Sequence, residues 1–162
     1  QMVDRIATGF AIADPANAGA YRANADILDA KLAALDQRYR DGFANCAQQS
    51  ILISHTAFGY VAAAYGFEQV SLTGISPDAE PSSQQLAAIA AFARASNIKY
   101  IFFETLISPK LAQTIAREVG AQTLALNPLE GLTDDEIAEG KDYVTEMDAN
   151  LANLQLALQC TP

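Results

Sequence analysis

Four short runs rich in β-branched and aromatic residues, at 49–54, 69–73, 98–103 and 122–126, alternate with helical patterns at 57–65, 83–95 and 109–119. This alternation restricts the fold more than any other feature. Strands separated by single helices cannot close as hairpins, so each connection crosses over the sheet, and right-handed crossovers produce parallel strands covered by helices on both faces. Gly66, Asn97 and Gly120 stand at the ends of the three helical patterns, and these residue types accept the left-handed backbone that stops a helix. The fold class read from this pattern is α/β, with a four-stranded, mainly parallel sheet flanked by helices.

Ahead of the sheet, Tyr21, Leu28, Leu32, Leu35 and Tyr39 recur at spacings of three, four and seven over 16–43, with charged residues between them. That is the stripe of a long amphipathic helix. Asp14 followed by Pro15 is a cap and first-position proline in the preferred order, and it separates this helix from a short apolar one before it. Beyond the sheet, Tyr143, Met147, Leu151, Leu154 and Leu158 predict one closing helix over 134–159, with Thr133 as its cap and Glu136 completing a capping box.

A chain of 162 residues with 51% apolar and 18% charged residues has the composition of a folded globule. Its formal charge of −9 repels a phosphate backbone, which excludes nucleic acid as a partner. The acidic cluster Asp134, Asp135 and Glu136 reads as negative charge in the first turn of a helix. No stretch approaches the roughly 20 apolar residues of a membrane span, and the opening QMVDRIATGF lacks the basic start and apolar centre of a signal peptide. That opening lies inside a helical pattern without an initiator methionine, which leads us to expect a piece of a longer protein. Cys46 and Cys160 sit in no Cys-x-x-Cys or near-histidine context, so the readings left for them are a disulfide or two buried thiols.

Ligands of open parallel sheets bind beyond the carboxyl ends of the strands. There the sequence places its only histidine, His55, after the first run; Glu104 after the third; and Asn127 and Glu130 after the fourth. Each also has an ordinary reading. His55 could cap a helix or hydrogen-bond within the core, Glu104 could accept amide bonds at a helix start, and Glu130 could be a solvated loop carboxylate. An imidazole with one or two carboxylates suits zinc or manganese, yet it falls short of the four ligands of a zinc shell. Neither GxGxxG nor GxxxxGK[ST] occurs, and no serine or cysteine nucleophile sits in an elbow motif.

The runs ILISHTAFGYVAAAYGFEQVSLTGISPDAEPSSQQLAAI and IKYIFFETLISPKLAQTIAREVGAQTLALNPLEGLT, with DPANAGAYRANA and KDYVTEMDANLANL, resemble in order the carboxyl-terminal lobe of the zinc and manganese solute-binding proteins of ABC importers. The resemblance implies two α/β lobes joined by a long rigid backbone helix, with metal held in the cleft between them. Residues 1–14 would then be a remnant of the amino-terminal lobe, 15–45 the linking helix and 46–162 the carboxyl-terminal lobe. It implies that His55 of the SH-x-AFGY motif is a direct ligand and that the last ligand is acidic and follows the final strand. The position often held by aspartate is Asn127 here, and relatives reading NPLEGLT use the glutamate three residues on. Glu130 is therefore the expected ligand. By the same resemblance Glu104 and Asn127 would orient the ligands or be further ligands themselves. The remaining ligands would be histidines of the other lobe.

By the same resemblance the expected function is capture of zinc, with manganese as the alternative, and delivery to an ABC importer permease in the periplasm or at the cell surface. The chain would not be an enzyme. The resemblance also implies a bridge between Cys46 and Cys160, which agrees with an oxidising compartment. Two competing expectations are a flavodoxin-like enzyme using His55 and Glu104 as base and acid, and a metal-independent adhesin.

Overall fold

A computed structural model describes residues 1–73, 81–105 and 108–161; residues 74–80 of the longest matching run and 106–107 of the second lie outside them. The chain divides into two compact units, Gln1–Tyr39 and Arg40–Pro162.

In the first unit, α1 (Met2–Ala13) leads into a single 3-10 turn, Pro15–Asn17, before α2 (Ala18–Gly42) begins. The long helix therefore starts two residues later than its periodicity predicts. Proline supplies no amide hydrogen and opens the tighter turn instead. Asp14 holds the junction through its side chain: Oδ2 accepts from Asn17 Nδ2 at 2.7 Å and from the Tyr21 hydroxyl at 2.9 Å. The Tyr21 ring lies 5.4 Å from that of Phe10.

The second unit is the sheet with its helices. Strands β1 (Ser50–Ile53), β2 (Glu68–Ser71), β3 (Tyr100–Phe103) and β4 (Gln122–Ala125) alternate with α3 (Gly59–Tyr65), α4 (Ser83–Ala95) and α5 (Lys110–Val119). Every strand pair is parallel and the order across the sheet is β2-β1-β3-β4. Leu52, Ile53, Ile101 and Phe102 on the two central strands are fully buried, each worth roughly 1.5–3 kcal/mol of transfer free energy. Leu52 and Ile101 join Ala93 of α4 and Ala112, Ile115 and Ala116 of α5 in one hydrophobic cluster, where the small alanines let both helices approach. The fold class is the one the alternation dictates, with Gly66, Asn97 and Gly120 all at positive φ where their helices stop.

Other boundaries also differ from the sequence reading. The helix expected to start at residue 57 starts at Gly59, because residues 55–58 form a loop held by Gln69 (below). The closing helix is two helices, α6 (Asp134–Ala138) and α7 (Tyr143–Leu158). Gly140 adopts φ 75° between them. Asp142 then opens α7 with a capping box of its own, its Oδ1 accepting from Thr145 N at 2.9 Å. Periodicity alone joins two apolar stripes across such a break, whereas a glycine followed by a capping aspartate separates them. Thr133 caps α6 as predicted, with Glu136 as its partner.

Cys46 and Cys160 form a disulfide, with Cα atoms 3.8 Å apart. The two cysteines pair as an antiparallel bridge. It is extended by Gln48 N to Leu158 O at 2.9 Å and Thr161 N to Asn45 O at 2.9 Å. The end of α7 is thus laced to the segment that enters β1, and Gln155 Nε2 adds a bond to Gly42 O at 3.2 Å.

Candidate metal centre

The chain leaves β1 toward β2 on one side and later crosses back to β3 on the other. Adjacent strands whose connections depart in opposite directions open a crevice at their carboxyl ends. In that register Ile53 pairs with Phe102, and two further residues bring His55 level with Glu104. Ser54 fastens the strand ends, its N and Oγ both donating to Phe102 O at 3.1 and 3.2 Å.

The result is a direct ion-pair contact between His55 Nδ1 and Glu104 Oε1. Neither atom has another hydrogen-bond partner among the described residues, and both are buried. His55 is 6% exposed and Glu104 2%, so this part of the site is enclosed. When Glu104 is ionised, its carboxylate on Nδ1 fixes the imidazole tautomer that carries its proton there, leaving the Nε2 lone pair free to ligate. None of the described hydrogen bonds uses Nε2. Burial pushes the Glu104 carboxyl up to about 7, and the charge of Glu130 adds to the rise. Glu130 therefore acts electrostatically on Glu104.

The loop that carries His55 is held from the neighbouring edge strand. On β2, Gln69 Oε1 accepts from Phe58 N at 2.8 Å while its Nε2 donates to His55 O at 3.3 Å. Thr73 donates to Ser54 O through both N and Oγ1, each at 3.0 Å.

Asn127 is 3% exposed, and its carboxamide is already engaged. Oδ1 accepts from Leu129 N at 2.8 Å, and Nδ2 donates to Glu146 Oε2 at 3.4 Å. Glu130, by contrast, is exposed. Nitrogen and carboxylate donors of this kind suit zinc or manganese. Among the described residues no three His, Cys, Asp or Glu side chains are grouped closely enough to hold a metal ion by themselves.

Sequence reasoning missed Gln69, Glu146 and Asn150. The last two are buried on α7, at 7% and 3% exposure, one helical turn apart. Their signal was a polar pair within an apolar stripe, which sequence cannot distinguish from a solvated face.

Residues 1–157 match the family described as zinc-uptake complex component A, periplasmic. The zinc-binding protein AdcA of Streptococcus pyogenes serotype M6 is 41% identical over 155 residues, covering 96% of this chain and 30% of that protein. The high-affinity zinc uptake system protein ZnuA of Bacillus subtilis is 42% identical, covering 90% of this chain and 46% of that protein. The chain thus spans less than half the length of these relatives. Among solved structures, the Zn(II)-bound ZnuA-like domain of Streptococcus pneumoniae AdcA superposes with a TM-score of 0.81 at 36% identity, over 96% of this chain and 58% of that one.

Proposed function

The chain belongs to the family of periplasmic zinc-uptake component A, and from that membership we propose that it captures zinc outside the cytoplasm for delivery to an ABC importer permease. The observation that carries this reading is the contact of His55 Nδ1 with Glu104 Oε1 at the crevice between β1 and β3. Zinc is cargo here, and no bond is made or broken in it. His55 ligates through Nε2, and Glu104 holds the imidazole in the tautomer that permits this. Glu130 supplies a carboxylate from the loop after β4. Asn127 is a structural residue rather than a ligand, because both ends of its carboxamide are already used.

Two ligands leave a tetrahedral ion half coordinated. The rest come from histidines of an amino-terminal lobe, to which residues 1–14 belong, with 15–45 as the linking helix and 46–162 as the second lobe. The compartment is the periplasm or cell surface, in keeping with a persistent disulfide. Manganese is accommodated by the same donor types, and the AdcA and ZnuA relatives favour zinc.

Zinc titration of this chain, of a two-lobed protein containing it, and of each with His55→Ala tests the reading. The two-lobed protein should bind far more tightly than the chain, and His55→Ala should weaken both. Glu104→Gln, which can present an amide donor to Nδ1 and so favour the wrong tautomer, should weaken binding about 10- to 100-fold. Unchanged affinity on losing His55 would remove the site.

A further inference from the structure

We propose that Asn150, on α7, is a positioning residue for the metal site, acting through the loop that carries Glu130. This rests on Glu130 being the loop ligand, as proposed above.

At the end of β4, where Leu126 N still donates to Phe103 O at 2.9 Å, α7 supplies partners for the backbone groups that face away from β3. Asn153 Nδ2 donates to Ala125 O at 2.9 Å. One turn earlier on α7, Asn150 engages both backbone groups of Asn127: its Oδ1 accepts from Asn127 N at 2.8 Å and its Nδ2 donates to Asn127 O at 2.7 Å. A single carboxamide thus replaces a neighbouring strand for one residue and satisfies two peptide groups that would otherwise be buried unpaired. One turn earlier again, Glu146 receives the Asn127 side chain and is itself met by Lys141 Nζ at 3.5 Å.

With Asn127 held at backbone and side chain, its Oδ1 fixes the amide of Leu129. Leu129 adopts φ 64°, a left-handed conformation that a leucine enters only when its surroundings impose it. Glu130 is the next residue. The chain Asn150 to Asn127 to Leu129 therefore sets the direction from which the Glu130 carboxylate approaches the His55 and Glu104 pair. Glu130 is exposed and no described hydrogen bond orients its side chain, so its placement comes from the backbone that leads to it.

The test is a double-mutant cycle on zinc affinity, read by calorimetric titration of this chain, with Asn150→Leu and Glu130→Gln made singly and together. Asn150→Leu keeps the branched shape and removes both bonds; Asn150→Ser serves if the leucine variant does not fold. The expected result is about tenfold weaker binding from either Asn150 variant when Glu130 is present. In the Glu130→Gln background the same variants should cause no further loss. Equal weakening in both backgrounds would overturn the proposal, since Asn150 would then act on the fold at large. So would unchanged affinity in the Glu130 background. If Glu130→Gln alone leaves zinc binding intact, the ligand assignment itself fails, and that single variant identifies it as the cause.

Discussion

His55 Nδ1 meets Glu104 Oε1 across the crevice between β1 and β3, two residues past the last paired positions of those strands. The contact places the chain's only histidine against a carboxyl group that burial deprives of water. The protonation state of Glu104 is therefore tied to folding.

That link gives a pH signature in the metal-free protein. Glu104 titrates near 7 when folded, against an ordinary 4.5, so the folded state binds its proton more tightly than the unfolded chain does. The sign follows: its contribution to stability is fully present below pH 4.5 and is lost as pH rises through 7, by on the order of 3 kcal/mol. Urea unfolding across this range should show a decline that Glu104→Gln flattens. A wild-type profile as flat as the variant's would mean that burial does not hold the proton on.

The bridge between Cys46 and Cys160 spans a sequence separation of 114. Closing a loop of that length restricts the unfolded chain by about 4–5 kcal/mol in the chain-entropy view. The Cys46→Ser, Cys160→Ser double variant and the reduced wild type should show the same lowered unfolding midpoint. If reduction leaves the midpoint in place, the backbone bonds of Gln48 and Thr161 beside the bridge are sufficient without it.

Asn127→Asp distinguishes a ligand from a strut. The substitution adds a carboxylate, yet here it replaces the Nδ2 donor that faces Glu146. Two like charges would then share a site where Asn127 and Glu146 are 3% and 7% exposed. A loss of about 1–3 kcal/mol is expected, with no gain in zinc affinity. Tighter zinc binding with unchanged stability would return position 127 to the ligand set.

The alternation of short strands with helices could be read without coordinates, because it depends on periodicity and on stop residues such as Gly66 and Gly120, whose demands are local. It was enough to place His55, Glu104, Asn127 and Glu130 at the carboxyl ends of strands. The same locality misled at the end of the chain, where one apolar stripe runs across the break at Gly140 and periodicity does not register a single positive φ. Only the tertiary structure decided which strands are neighbours. The order β2-β1-β3-β4 makes β1 and β3 adjacent, and this sets His55 against Glu104, whereas another order would have left each with its ordinary role as a cap or a solvated group. It also decided that Asn127 is engaged and Glu130 exposed, since that turns on Asn150 and Glu146 of α7 lying against the end of β4. Contacts between residues so far apart along the chain depend on the packing of whole elements, for which local sequence carries no signal.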